Sequence, residues 1–261
     1  MQTASQWNNQ PYLVYLPDHY SKAQSPLPLI VFLHGIGERG TDTSLILKHG
    51  LPALLSEEYW SPSADIEASE AQSKWMDYGA VQPDAPEDPV DSVGDRVAGI
   101  VSFPFIVLSP QCPEDRRWSD YIDETLALID HFIATYNVDP ARVYLTGFSM
   151  GGHGTMTIGA AHPDRFAALW AVAAPLRMEN SGTFVDKACN LAGKPIWLMH
   201  GTSDTAVPID HLYQYNDILT ECGIQPRMTI YPNMGHEARE PYSEQEVYTW
   251  LLSHSLNSQQ P

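Results

Sequence analysis

Val143-Tyr144-Leu145-Thr146-Gly147-Phe148-Ser149-Met150-Gly151-Gly152 joins a short apolar run to a Gly-x-Ser-x-Gly pattern. Beyond it, His153 to Ala161 is made of small residues able to continue as a helix, so the stretch reads as strand, tight turn and helix with Ser149 at the turn. Such a turn crowds the backbone. Gly147 and Gly151 lack Cβ and let the flanking segments pass close together, while the serine hydroxyl is pushed outward. The N–H of Met150, at the helix start, then points to where negative charge would collect on an attacked carbonyl oxygen. Taken alone, the pattern also fits a glycine turn without chemistry. Its strand and helix context favours the reactive reading, and a base, an acid and a second N–H donor elsewhere in the chain decide between the two.

Upstream, Tyr12 to Leu16 reads as a strand closed by Pro17, and Leu29 to Leu33 as a second, fully apolar strand of the kind buried on both faces of a parallel sheet. The latter runs into His34-Gly35-Ile36-Gly37-Glu38-Arg39-Gly40. Glycine-rich turns at the carboxyl ends of buried strands are where α/β sheets place ligands. Here the N–H of Ile36 is the expected second oxyanion donor, with Gly37 a close alternative. Phe105 to Leu108 is a further strand, and a helix begins at Asp120 with Ile122, Leu126, Ile129 and Ile133 on one face. Asn137 to Pro140 ends that helix, and Arg142 to Thr146 is the strand feeding Ser149, which completes a right-handed crossover.

Downstream, strands are expected at Phe166–Ala174, Pro195–Met199 and Arg227–Tyr231, and helices at Ile209–Cys222 and Ser243–Ser253. Asp204 lies just past the second of these strands and His236 just past the third, so serine, acid and histidine follow in the chain order of α/β-hydrolases. In that reading His236 takes the hydroxyl proton of Ser149 and later returns it, while Asp204 holds the imidazole in the right tautomer. His34 and His200 precede glycines at strand ends and read as loop-tying residues; Asp210 lies a helical turn too far on to replace Asp204. Trp118 is as suited to the core as to a pocket wall, and with Gly37 and Val207 it is a candidate substrate contact.

At 261 residues the chain can form one α/β domain, and 43% hydrophobic content argues against general disorder. A net charge of −18 disfavours a nucleic-acid partner, and no apolar run reaches the roughly 18 residues of a membrane span. The polar N-terminus lacks the marks of a secretory signal, which fits a cytoplasmic protein, or a secreted or periplasmic one whose signal has been removed. Cys112, Cys189 and Cys222 allow at most one bridge, and none is expected. The histidines show no zinc-binding spacing. From about 56 to 102 acids outnumber bases heavily, yet Trp60, Trp75 and Tyr78 sit among them, so this insertion reads as a lid or rim over the site.

Three segments together, Pro28 to Gly40, Ile106 to Pro113 and Leu145 to Gly152, resemble the predicted-peptidase and feruloyl-esterase-like branch of the α/β-hydrolase superfamily. That branch is similar in turn to the phospholipase/carboxylesterase family. The resemblance implies a mostly parallel sheet flanked by helices and a serine hydrolase that needs no cofactor. It also implies small-molecule carboxylic esters as substrates and Ile36 and Met150 as oxyanion donors. The acidic insertion, and the absence of a cysteine-glycine turn after Ala174, depart from the pattern and keep it from naming the substrate. A bulky or aromatic ester is expected from Trp60, Trp75, Tyr78 and Trp118, with a serine peptidase of small peptides and a non-catalytic hydrolase-fold binding protein as the alternatives.

Overall fold

The computed structural model describes residues 2–17, 20, 25–56, 103–178 and 184–259; nearly all of the acidic insertion read as a lid lies outside them. Among the described residues eight strands form one sheet: β1 (Gln2–Trp7), β2 (Gln10–Tyr15), β3 (Leu27–Leu33), β4 (Ile106–Pro110), β5 (Val138–Phe148), β6 (Ala168–Val172), β7 (Ile196–Gly201) and β8 (Arg227–Tyr231). Their spatial order is β1-β2-β4-β3-β5-β6-β7-β8, and every pairing from β4 to β8 is parallel. Helices α1 (Gly50–Leu54), α2 (Ile122–Thr135), α3 (Met150–Ala161), α4 (Asp210–Glu221), α5 (Arg239–Ser243) and α6 (Gln245–Leu252) supply the connections. None of them is long and apolar enough to cross a membrane.

The apolar run of β3 is explained by its place next to the centre of this sheet. Successive side chains leave a strand on opposite faces, and here both faces are covered. Leu29, Val31 and Leu33 pack with Leu145, Ile129, Phe132 and Ile158 on one side. Ile30 and Phe32 pack with Tyr144, Trp170, Tyr242 and Tyr248 on the other. Each such side chain contributes about 1.5–3 kcal/mol when fully buried, so a one-residue slip of β3 would exchange its two sets of core partners.

The sequence expectation ran short at the first and fifth strands. The polar segment before Tyr12 is a strand, β1, paired antiparallel to β2 from Gln2↔Tyr15 to Trp7↔Gln10. Asn8 and Asn9 at positive φ, 47° and 62°, make the turn between them, the backbone that a two-residue hairpin requires. As a solvent-exposed edge strand, β1 carries no apolar alternation that would reveal it. β5 begins at Val138 rather than at Arg142, with a register shift opposite Leu27 and Leu29. Asp139 stabilises the irregular start, accepting from the N–H of Ala141 at 2.9 Å and from Arg142 Nε at 2.7 Å.

The expectation of no disulfide is corrected. Cys189 and Cys222 are bonded, with Cα atoms 4.9 Å apart and a sequence separation of 33. Periodicity gave no hint that the turn before β7 and the end of α4 would meet. Cys112 is free and buried.

Buried imidazoles tie the loops at the carboxyl edge of the sheet. His34 accepts the N–H of Cys112 on Nε2 at 2.9 Å, and Nδ1 lies 2.6 Å from the carbonyl of Gly35. The ring is therefore neutral with its proton on Nδ1. Burial pushes the His34 pKa down to about 4, and burial likewise lowers those of His153 and His200.

Two outcomes follow. Reducing the bridge, or Cys222→Ser, lowers the stability by about 2–4 kcal/mol, read as a drop in thermal midpoint against the oxidised protein. Because these histidines bind protons more weakly folded than unfolded, their contribution is complete above about pH 6.5 and is lost as pH falls through the folded value, about 4 for His34. Denaturant titrations at a series of pH values should show stability declining across that window, and a flat profile would contradict it.

Candidate active site

Ser149 stands between the last residue of β5 and the first of α3, with φ 56° and ψ −117°. A non-glycine residue at positive φ costs of order 1–3 kcal/mol and persists only where its surroundings dictate it. Here its N–H donates to the carbonyl of Val172 at 2.9 Å, and its carbonyl accepts the N–H of His153 at 3.0 Å. The two motif glycines have a steric reason. A Cβ on Gly151 would overlap the Leu33 carbonyl, and one on Gly147 would lie 2.7 Å from the Leu33 oxygen. The elbow and the end of β3 are thus pressed together, which also brings the loop after β3 to the serine. A Cβ on Gly35 would lie 3.7 Å from Ser149 Cβ.

Asp204 and His236 reach the same point from β7 and β8. The Asp204 side chain is fully buried. Its Oδ1 accepts the N–H groups of Ala206 at 2.9 Å and Val207 at 2.8 Å, and its Oδ2 lies 2.7 Å from His236 Nδ1. His236 Nε2 lies 3.0 Å from Ser149 Oγ. An ionised carboxylate only accepts, so Nδ1 carries the imidazole proton and Nε2 presents its lone pair to the serine hydroxyl. His236 keeps 23% of its side chain exposed and packs against Phe148 with ring centroids 4.7 Å apart.

The two loops are stitched to each other. Ser203 N–H donates to the Met234 carbonyl at 2.9 Å, Thr202 N–H to Tyr231 at 3.0 Å, and Asn233 N–H to Thr202 Oγ1 at 2.8 Å. Gly201 makes room for this crossing, since a Cβ there would collide with the Met234 carbonyl. His200 Nε2 lies 2.8 Å from the Val207 carbonyl and 3.4 Å from Asp204 Oδ2, which ties the acid loop.

The structure therefore brings Ser149, His236 and Asp204 into one hydrogen-bonded line. Met150 opens α3 and Ile36 opens the short 3-10 turn Ile36–Glu38. Neither N–H has an acceptor inside its own helix. Gly37 follows Ile36 on that turn and is exposed. The reading of Trp118 as a substrate contact is corrected. The residue is fully buried, packs where Gly154 leaves space, and donates Nε1–H to the His34 carbonyl at 2.9 Å. Val207 is also buried, and its backbone is engaged by Asp204 and His200.

Sequence reasoning passed over Gln111 and, though it noted the glycine after His200, gave Gly201 no role. Gly201 follows a histidine at a strand end, as Gly35 does, and that repetition was the available signal. Gln111 carried no local signal, since its partners are about 70 residues away.

Comparison with known proteins agrees with this architecture. Residues 19–252 match the family model described as phospholipase/carboxylesterase. The chain is 24% identical over 229 residues to mouse lysophospholipase-like protein 1, covering 86% of this chain and 85% of that protein. It is 25% identical over 233 residues to a probable carboxylesterase, SOBER1-like, from Arabidopsis thaliana, covering 88% and 79%. Among solved structures it is similar to a thermostable esterase, with a TM-score of 0.69 at 25% identity, over 98% of this chain and 63% of that one. A ferulic acid esterase from Anaeromyces mucronatus shares the fold, with a TM-score of 0.62 at 14% identity over 95% and 89%. The chain belongs to the phospholipase/carboxylesterase family of α/β-hydrolases and is a serine hydrolase acting on esters.

Proposed function

We propose that Ser149, His236 and Asp204 are the catalytic triad of this protein and that it cleaves carboxylic esters of small molecules through an acyl-enzyme. The observation that carries the reading is the unbroken line from Asp204 Oδ2 through His236 to Ser149 Oγ, at 2.7 Å and 3.0 Å. Serine is a poor nucleophile at its own pKa, and an adjacent base whose free lone pair faces the hydroxyl removes that barrier.

In this mechanism Ser149 Oγ attacks the ester carbonyl carbon as its proton passes to His236 Nε2. Asp204 stabilises the resulting imidazolium without taking a proton. The carbonyl oxygen, now negative, is held by the N–H groups of Ile36 and Met150; such a donor contributes about 2.7–4 kcal/mol, realised only once the charge forms. The intermediate collapses, and the leaving alkoxide takes the proton from His236. Water then attacks the acyl carbon, His236 accepts its proton, and the acid departs as Ser149 recovers its hydrogen.

The expectation of a bulky or aromatic ester rested partly on Trp118, which lies in the core. Trp60, Trp75 and Tyr78, its other supports, lie outside the described residues. The ester class is therefore assigned by turnover. The protein should hydrolyse p-nitrophenyl esters, with feruloyl esters in the same panel, in preference to peptide anilides. Ser149→Ala should abolish labelling by a fluorophosphonate and lower kcat/KM by about 10⁴-fold or more. Preferential turnover of the anilides would overturn the ester reading, and labelling that survives Ser149→Ala would overturn the assignment of the nucleophile.

A further inference from the structure

The loop that carries Ile36 is weakly held by its own structure. Its 3-10 turn is only Ile36–Glu38, and Ile36 is 44% exposed. Its own side chain therefore does little to fix the direction in which its N–H points, and the buried Gly35 and Glu38 on either side hold the loop only at its ends. Two side chains from outside the proposed triad supply what the loop lacks.

Gln111 follows β4 and is fully buried. Its N–H donates to the Pro11 carbonyl at 2.9 Å, which anchors it to β2. Its side-chain Nε2 donates to two carbonyls of the loop, Glu38 at 2.8 Å and Asp42 at 2.8 Å. Its Oε1 is buried with no partner among the described residues. An apolar side chain here would avoid that desolvation cost, so the amide's value at this position lies in its two donors. On the outer side, Arg39 Nε donates to the Ile36 carbonyl at 2.9 Å, and Nη1 reaches the Arg116 carbonyl at 3.3 Å. Gly40 N–H closes the far end on the Cys112 carbonyl at 2.9 Å.

We propose that Gln111 and Arg39 are positioning residues that clamp the oxyanion loop from both sides and so hold the Ile36 N–H in line with charge that develops at Ser149. This rests on the ester-hydrolase mechanism proposed above. Neither side chain is part of the proton relay. Their loss should weaken transition-state binding while leaving ground-state binding and the Ser149–His236–Asp204 line intact. Misplacing a catalytic group by about 1 Å costs on the order of 10²-fold in rate.

The test uses the full-length protein with a p-nitrophenyl ester and three variants. Gln111→Glu keeps the shape but sets an oxygen against two carbonyls, Gln111→Met removes the donors, and Arg39→Met acts on a surface side chain. Each should lower kcat by about 10- to 100-fold with KM within about 2-fold. Affinity for a boronic acid, which forms a tetrahedral adduct on the serine, should fall in parallel. The pH midpoint of kcat/KM should match wild type. Wild-type kcat in folded Gln111→Glu together with Arg39→Met would overturn the clamp, as would a rise in KM at constant kcat. If the Gln111 variants do not fold, Arg39→Met decides: undiminished kcat overturns the proposal, and a kcat loss at constant KM supports it. Absence of ester turnover by the wild-type protein is a different result, and sinks the mechanism on which the clamp depends.

Discussion

The contact on which the rest of the structure depends is the one between Gly151 and the carbonyl at the end of β3. No side chain fits there, since any Cβ would overlap the Leu33 carbonyl. Backbone against backbone, the elbow is pressed onto the neighbouring strand. That closeness brings the loop carrying Ile36 alongside Ser149 and keeps the serine at positive φ. The strain at Ser149 is small beside the burial that enforces it, because β3 and β5 lie in the centre of a sheet covered on both faces.

A second close approach, at Gly201, performs the same task for the other half of the site. Asp204 and His236 come from adjacent parallel strands, and three hydrogen bonds join their loops before either side chain is considered. Asp204 is fully buried, a position costly for a charge without partners. Two backbone N–H groups and the His236 imidazole provide them. His200, which shares this loop, is held neutral by burial, so the proton on its Nε2 goes to the Val207 carbonyl. The imidazole with solvent access is that of His236, which suits a group that must exchange protons with substrate and water.

The outer parts of the sheet matter to the site through long paths. The hairpin of β1 and β2 contributes no side chain to the proposed chemistry, yet Pro11 anchors the backbone of Gln111, and Gln111 reaches the loop beside the serine. Trp118 shows the same principle from within. Its indole fills the space beside Gly154 and fastens the end of β3 through His34. Its value lies in packing, where the sequence allowed equally for a pocket wall.

What the sequence determined by itself was the set of elements whose patterns are local. The apolar run of β3, the amphipathic face of α2 and the glycine-flanked serine each carry their structure in a few neighbouring residues, because burial on one or two faces dictates residue type at period 2 or 3.6. The order serine, acid, histidine could also be read, each residue standing past the end of an expected strand, although the strand before His236 is largely exposed. Only the tertiary structure decided what depends on contacts between distant segments. The bond between Cys189 and Cys222, the burial of Trp118, the clamp of Gln111 on a loop about 70 residues earlier and the pairing of polar β1 all lack a periodic signature. Their partners are chosen by how the chain returns on itself, and a linear pattern records the need for burial without recording against what.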